Sequence, residues 1–362
     1  MNRLIVLICL GGLLPTASVG QTIVWTDVDG RRIQRKDVNG GAVGTIVQFQ
    51  FPQGATEIHY DPVDAKLYYL FYGPPSTFQR ANLDGSEPEN IPTPSVTIWT
   101  HFTLNIESRK LYWMEVPFGS FGNGFFRSQL DGSGVESHTY PSCCLLTLEA
   151  LGDDLFFGAG GGMFKGIWRA DADGSNEQYL HGTPQPYDLA YDPVENKLYV
   201  ATIARIYRLN PDGTGFQEIV PIEALQIVVD SRSRKLYWTV GRVIRRSNLD
   251  GSNAEDFVTA LDAGNLNLDI QGMTIVDSYL VTGACCDGDP FAPCTEDTIP
   301  SQCECASCTW RPFRTCAEIE CAPISIPTTS GWGVAILTLL LIIGAKIAFG
   351  RRAALSSVTQ GG

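Results

Sequence analysis

The sequence predicts an all-β protein: a six-bladed β-propeller, then a small disulfide-rich module and a C-terminal transmembrane helix. Three observations lead to this fold class. First, a turn motif recurs six times, ending at Gly40, Gly85, Gly132, Gly174, Gly213 and Gly251. Second, eight cysteines crowd between Cys285 and Cys321. Third, an apolar run lies near each end of the chain.

The recurring motif has the same residue types at fixed offsets before its glycine. One position before it stand Asn39, Asp84, Asp131, Asp173, Asp212 and Asp250, and five positions before it stand Arg35, Arg80, Arg127, Arg169, Arg208 and Arg246. Asp-Gly favours tight hairpin turns, because both residues tolerate positive φ. Aromatic strands such as "KLYWTV" from Lys235 precede the motif. Four short strands per unit of about 40–45 residues is the period of a propeller blade.

These strings also resemble a known family. "KLYWTV" with "VIRRSNLDGS", and "IVWTD" with "RIQRKDVNG", are similar to the YWTD repeats of the low-density-lipoprotein-receptor class. The resemblance covers roughly residues 22–282, although the tetrad drifts to "YYLF", "YWME" or "FFGA" in other units. It implies a six-bladed propeller over residues 21–283. Ligand preferences do not follow from it.

Closure of the ring needs a strand from the far end of the repeats. The first unit lacks the leading strand that the later units have, whereas "GMTIVD" within residues 267–282 matches that strand. We expect residues 267–282 to complete the first blade, because closure removes exposed sheet edges. A seventh, truncated blade is the alternative.

The charge of the chain excludes one class of partner. The formal net charge is −13, and four cations lie in the two terminal segments, so residues 21–333 carry −13 − 4 = −17. An acidic body repels phosphate backbones, so we expect no nucleic acid partner. Cations, basic proteins and neutral glycans are compatible with this charge.

The six repeat arginines allow two interpretations. A ring of arginines can form an anion site, or each arginine can pack its stem on an aromatic side chain and pair with a turn carboxylate. Identical placement in every unit favours the structural role, because binding sites tend to break the symmetry of a repeat. We therefore assign Asp84, Asp131, Asp173, Asp212 and Asp250 a structural role as well.

Residues 1–20 are typical of a signal peptide. Arg3 precedes an apolar run from Leu4 to Leu14, and small residues follow up to Gly20. This pattern predicts export and a mature chain that begins near residue 21.

Residues 284–323 form a cysteine-rich module. Its cysteines are Cys285, Cys286, Cys294, Cys303, Cys305, Cys308, Cys316 and Cys321. So few apolar residues cannot build a core, and an exported chain meets oxidising conditions, so we predict disulfides. Zinc is the competing interpretation, but no histidine lies nearby. The pattern resembles a short "GACC…C…C…W…C…C" module of exported bacterial proteins. Cys143 and Cys144 form a separate vicinal pair.

The C-terminus predicts a membrane segment with a processing signal. We assign 324–333 to a sorting motif and linker, 334–350 to a transmembrane helix and 351–362 to a basic cytoplasmic tail. The motif resembles bacterial IPTL-type sorting signals at Ile326, Pro327, Thr328, Ser330, Trp332 and Gly333. The resemblance implies cleavage by an exosortase-like enzyme; a plain membrane anchor is the alternative. Recovery of C-terminal peptides from the mature protein distinguishes the two.

Catalytic patterns are sparse. The four histidines, His59, His101, His138 and His181, have no metal-ligand spacing, and no nucleophile or phosphate-loop motif occurs. Asp61, Asp192 and Asp230 recur at one place in three of the units, which favours turn capping over a channel metal. We predict no cofactor and no catalytic or metal site. The expected function is an exported, cell-surface binding, adhesion or scaffold module for an extracellular protein or glycan. The alternative is a lactonase-, dehydrogenase- or lyase-like propeller enzyme with a metal ion in its central channel.

The cysteine-rich module is predicted to contain no free thiol. Disulfides must supply the stability that its small core lacks. Thiol titration of the exported protein in denaturant without reductant should therefore detect none of the eight cysteines between Cys285 and Cys321. Eight titratable thiols, or bound zinc, would show that the module is a metal site.

Overall fold

The structure, a computed structural model, describes residues 21–93, 101–114, 124–139, 145–160 and 165–277, and the backbone of 283–286, 295–298 and 309–312. The predicted signal peptide, the Cys143–Cys144 pair, the sorting motif, the predicted transmembrane helix and the tail lie outside these residues. So do six of the eight cysteines of the module; Cys285 and Cys286 are described in backbone only. Nowhere in the described residues is there a helix long and apolar enough to cross a membrane.

Twenty-four strands form six four-stranded antiparallel sheets, which confirms the predicted six-bladed propeller. We number the blades by the chain. Blade 1 contains β1 (Thr22–Asp27), β2 (Arg32–Asp37), β3 (Gly44–Gln48) and β24 (Ile270–Val276); blade 2 contains β4 (Gly54–Asp61), β5 (Lys66–Tyr72), β6 (Thr77–Asn82) and β7 (Glu89–Ile91). Blade 3 contains β8 (His101–Asn105), β9 (Lys110–Met114), β10 (Gly124–Gln129) and β11 (Glu136–Thr139); blade 4 contains β12 (Leu145–Leu151), β13 (Asp154–Ala159), β14 (Gly166–Asp171) and β15 (Gln178–His181). Blade 5 contains β16 (Pro186–Asp192), β17 (Lys197–Thr202), β18 (Ile206–Leu209) and β19 (Gln217–Val220); blade 6 contains β20 (Ile227–Asp230), β21 (Lys235–Val240), β22 (Val243–Asn248) and β23 (Glu255–Val258).

The two ends of the propeller sequence share blade 1. β24 pairs antiparallel with β1, so that Thr22 lies opposite Val276 and Trp25 opposite Met273. This is the closure predicted for residues 267–282, of which 278–282 lie outside the described part. Because β24 supplies the inner strand of blade 1, every blade in the described residues is complete.

The core lies between the blades. Six apolar clusters occupy the six interfaces between neighbouring blades. Between blades 2 and 3, the ring of Phe78 meets Phe102 at 5.0 Å and Trp113 at 5.7 Å, edge to face in both cases. Buried aromatic residues each contribute on the order of 1.5–3 kcal/mol, so this packing is the main force that holds the ring together.

Aspartate and glycine together make the repeated turn between the third and fourth strands. Each Asp accepts a hydrogen bond of 2.9 Å from the backbone N–H two residues on, as the pairs Asp84–Ser86, Asp131–Ser133, Asp173–Ser175, Asp212–Thr214 and Asp250–Ser252. The glycine that follows Asp has a φ of 80° to 87° in these five turns. An L side chain rarely adopts this conformation, which explains why glycine recurs there.

The repeat arginines lie on the third strand, between two other strands of the same blade. Arg80, for example, lies opposite Tyr68 on one side and Glu89 on the other, and it binds the Glu89 carboxylate at 2.9 Å. The same arrangement pairs Arg127 with Glu136 and Arg246 with Glu255. The carboxylates thus belong to the fourth strand rather than to the turn. The other three arginines vary: Arg169 binds Asp154, Arg208 binds Gln217, and Arg35 lies opposite Gly44.

Aspartates at the ends of two inner strands tie neighbouring blades together. Asp61 of blade 2 is fully buried and accepts two hydrogen bonds, of 2.7 and 2.8 Å, from Arg109 of blade 3. Asp192 of blade 5 accepts one of 2.8 Å from Arg234 of blade 6. Each Asp also accepts the N–H of the residue two positions on, Val63 or Val194. These side chains therefore cap a turn and cross-link two blades.

Beyond the propeller, three short strands form a separate sheet. They are β25 (Gly283–Cys286), β26 (Thr295–Thr298) and β27 (Thr309–Pro312), in the order β26-β25-β27.

The Asp61–Arg109 pair is predicted to stabilise the propeller measurably. Asp61→Ala leaves the Val63 N–H and the Arg109 guanidinium without this buried acceptor, so the free energy of unfolding should fall by about 1–3 kcal/mol. Asp64→Ala is the matched control, because Asp64 binds the same Arg109 at 2.6 Å but is half exposed. Urea unfolding of both variants measures the difference. Equal losses of unfolding free energy in the two variants would show that the buried carboxylate of Asp61 contributes no more to stability than the half-exposed carboxylate of Asp64.

Candidate functional site

The propeller has two faces of different character. Neighbouring strands are antiparallel, so the connections from one blade to the next lie on the same face as the connections between second and third strands. We call this the loop face. The opposite face, the turn face, carries the turns between first and second strands and between third and fourth strands.

Connections on the turn face are nearly uniform. The turns from third to fourth strand are 38–43, 83–88, 130–135, 172–177, 210–216 and 249–254. Connections on the loop face vary from two residues, 241–242, to eleven, 259–269. Symmetry is therefore kept on the turn face and broken on the loop face, and loops that vary on a fixed scaffold commonly carry binding.

Large apolar side chains are exposed mainly on the loop face. Among the described residues, eight large hydrophobic side chains are exposed, and five lie in loop-face connections: Phe51, Ile203, Leu225, Leu261 and Leu266. Phe51 and Leu261 are each 80% exposed. Two others, Val135 and Val194, lie on the turn face. The five side chains lie in the connection within blade 5 and in the connections between blades 5 and 6, 6 and 1, and 1 and 2.

Polar side chains meet at the propeller axis. Alternate residues of a strand point the same way, so positions four and two before the end of an inner strand share a side. In blades 2 to 5 these positions hold Glu57 and His59, His101 and Thr103, Thr147 and Glu149, and Asp188 and Ala190. In blades 6 and 1 the matching residues are Gln226, Val228, Gly272 and Thr274. We call Glu57, His59, His101, Glu149 and Asp188 the axial cluster.

Distances show that this cluster bridges several blades. His101 Nε2 lies 3.6 Å from the Glu57 carboxylate and 3.8 Å from that of Asp188, although Asp188 is two blades away. His59 Nε2 lies 3.6 Å from the other Glu57 oxygen. Thr103 donates its hydroxyl to Glu149 at 3.0 Å. Contact between blades 3 and 5 is possible only near the axis, so the cluster lies at the centre of the ring.

A close backbone approach brings blade 1 against the cluster. A Cβ added to Gly272 of β24 would lie 2.7 Å from backbone atoms of Thr56, Glu57 and Ile58. Glycine is therefore required where the inner strands of blades 1 and 2 meet beside Glu57.

Burial shifts the pKa values of Glu149, Asp188 and His101. Desolvation raises the pKa of Glu149 to about 7, and the hydrogen bond from Thr103 and the nearby His59 only partly oppose it. Desolvation also raises the pKa of Asp188, and the neighbouring Glu57 adds to the effect. Asp188 nevertheless accepts the backbone N–H groups of Leu189 and Ile227, each at 2.8 Å. Burial lowers the pKa of His101, against the opposing influence of Glu57.

Several polar atoms of this region lack partners. His59 Nε2, both ring nitrogens of His101, and the hydroxyls of Thr56 and Thr147 are buried without a hydrogen bond. No Lys or Arg of the described residues forms an ion pair with Glu57, Glu149 or Asp188. Across the same part of the chain, no three His, Cys, Asp or Glu side chains are already gathered as ligands of a metal ion.

Most of the residues that the sequence analysis singled out lie outside the axial cluster. Asp61, Asp192 and Asp230 end their inner strands at the turn face, where they accept turn N–H groups. His138 stacks on Phe125, and His181 stacks on Phe216 with ring centroids 3.7 Å apart. Only His59 and His101 belong to the axial cluster. Its three acids were missed because they lie one or two blades apart in sequence; an alignment of the repeats at the inner strand would have revealed them.

Comparisons with known proteins identify the fold. No protein-family model and no curated protein matches the sequence. A chain of a nidogen–laminin complex is similar, with a TM-score of 0.60 and 16% identity over 72% of this chain and 99% of that one. TolB from Acinetobacter baumannii gives a TM-score of 0.56 and 11% identity over 71% of this chain and 66% of that one. At these identities the likeness shows a six-bladed propeller fold and no function.

Glu149 is predicted to make stability depend on pH. In the native state its carboxyl keeps a proton up to a pKa of about 7, whereas it ionises near its ordinary value of 4.5 in the unfolded chain. The native state therefore binds more protons in this window, and the free energy of unfolding should fall as the pH rises from 5.5 to 8. Glu149→Gln should remove about 2–3 kcal/mol of that fall, as measured by urea unfolding at both pH values.

The matched control is Glu136→Gln. Its carboxyl is exposed, and Arg127 lowers its pKa, so it is ionised in both states across the window. This variant should keep the wild-type pH dependence. A wild-type profile that matches Glu149→Gln would show that Glu149 does not hold its proton in the native state.

Proposed function

We propose that this protein is an exported, surface-associated binding module that holds an extracellular protein or glycan on its loop face. The observation that carries the proposal is the contrast between the faces. Uniform turns and a repeated core build the turn face, whereas the loop face combines connections of unequal length with five exposed apolar side chains. Soluble proteins seldom expose clustered apolar groups without a partner.

Two further observations support a binding role. A chain of the same architecture occurs in a nidogen–laminin complex, so a propeller of this form can take part in a complex between proteins. The sequence patterns at both ends of the chain favour export and surface attachment. We infer that the mature chain presents its propeller outside the cell, with attachment through residues 324–350 or after their cleavage.

Binding is predicted to depend on the loop face and not on the turn face. The triple variant Phe51→Ser/Leu261→Ser/Leu266→Ser removes three apolar side chains that are 71–80% exposed, so it should not disturb the core. Saturable binding of the labelled full chain to the extracellular fraction of its source should weaken at least about tenfold, as expected when apolar anchors are lost.

The double variant Val135→Ser/Val194→Ser is the control, because it removes exposed apolar side chains from the turn face. It should bind like the wild type. Equal weakening in both variants, or no saturable binding of the wild type, would contradict the proposal. Urea unfolding of each variant confirms that the fold is retained.

The axial cluster favours one alternative, a propeller enzyme. A carboxyl such as Glu149, whose pKa is about 7, beside imidazoles suits general acid–base chemistry. Hydrolysis or elimination activity that disappears in Glu149→Gln, in a chain that stays folded, would support this alternative over the binding module.

A further inference from the structure

The axial cluster is a set of acids without a compensating cation. Three carboxyl groups, from Glu57, Glu149 and Asp188, come from three different blades, and no Lys or Arg of the described residues pairs with them. In blades 6 and 1 the matching positions hold only neutral residues. A buried charge is normally paired or neutralised, so a group of buried acids without a basic partner calls for a compensating positive charge.

Several buried polar atoms in and beside the axial cluster lack hydrogen-bond partners. The separations of 3.6 and 3.8 Å from His101 Nε2 to Glu57 and Asp188 are too long for hydrogen bonds. The Glu57 side chain is only 8% exposed, and both ring nitrogens of His101 lack a partner. Thr147, in the position of its blade that matches Glu57, is fully buried with an unpartnered hydroxyl. Leaving so many buried polar atoms unpaired is costly, unless a bound group satisfies them.

The cluster lies toward the loop-face end of the axis. His101 is the first residue of β8, and Glu57 and Asp188 lie in the first half of β4 and β16, all of which enter from the loop face. His59, whose side chain is 23% exposed, keeps a route to solvent. A small group can therefore reach the cluster from the loop face.

We propose that the axial cluster is a cation-binding site, in which Glu57 and Asp188 are the anionic ligands and His101 lies between them. A bound cation supplies the missing positive charge, and it satisfies atoms that are otherwise unpaired. The site goes beyond the proposed binding function, since a small cation can occupy it with no partner on the loop face.

Two kinds of cation share this chemistry. The ammonium or guanidinium group of a ligand needs only hydrogen bonds to the carboxylates. A divalent metal ion would have to draw the carboxylates and imidazole inward, because these side chains are not yet gathered as metal ligands. One experiment separates the two sources.

The experiment is calorimetric titration of the full chain at pH 7. Methylammonium and methylguanidinium form one arm, and Zn²⁺, Mn²⁺ and Ca²⁺ form the other. We expect saturable binding, and a loss of affinity of at least about tenfold in Glu57→Gln and in Asp188→Asn. Binding in the first arm only identifies a ligand amine; binding in the second only identifies a metal ion.

Asp64→Asn is the control, because Asp64 is a half-exposed carboxylate of the turn face, and it should bind as the wild type does. If a cluster variant does not fold, Glu149→Gln replaces it, and the ring-proton resonance of His101 in the wild type reports occupancy directly. Absence of binding in both arms, or equal affinity in the cluster variants, would overturn the proposal. Because this test uses small cations alone, its failure leaves the loop-face binding function standing.

Discussion

Packing between neighbouring blades is the interaction on which the rest of this structure depends. Each blade is a four-stranded sheet that cannot bury both faces by itself, so its aromatic side chains are buried only against the next blade. The ring must then close, or two apolar faces and two sheet edges would be left open. β24 closes it by pairing with β1. Closure also fixes the six inner strands around one axis, and this places residues from blades 2 to 5 within contact distance although they are far apart in sequence.

The features that could be predicted from sequence are those that recur. The Asp-Gly turn has a local cause, one side-chain hydrogen bond and one positive φ, so it has the same signature in blades 2 to 6. The return of the chain to blade 1 was also predictable, because a missing strand in the first unit matched a spare strand after the last. The residues that pair with the arginines were harder to predict from the sequence. The fourth-strand carboxylates Glu89, Glu136 and Glu255 lie nine residues after their arginines, and only the strand register shows that they lie opposite.

The axial cluster lay beyond a search for spacing along the chain. Metal and catalytic motifs bring residues together within one helix or loop, whereas Glu57, His101, Glu149 and Asp188 each come from a different blade. Their signal appears only when the repeats are aligned: at two alternating positions of the inner strand, blades 2 to 5 carry ionisable residues, whereas blades 6 and 1 carry neutral ones. Asp61, Asp192 and Asp230 attracted notice for the opposite reason, because they do recur. Recurrence indicated a shared structural task, and each of them accepts turn N–H groups.

Symmetry and its loss thus divide the molecule by role. The repeated features are the interblade cores, the capped turns and three of the six arginine pairs. They offset the entropy of ordering the ring. The features that are not repeated contribute little to stability, and some of them reduce it. Five exposed apolar side chains on the loop face contribute no burial, and buried acids at the axis lower the free energy of unfolding as the pH rises. Both departures lie on or open toward the same face. Two costly departures from the repeat at one end of the axis are what the proposed loop-face partner and the proposed axial cation would offset by binding there.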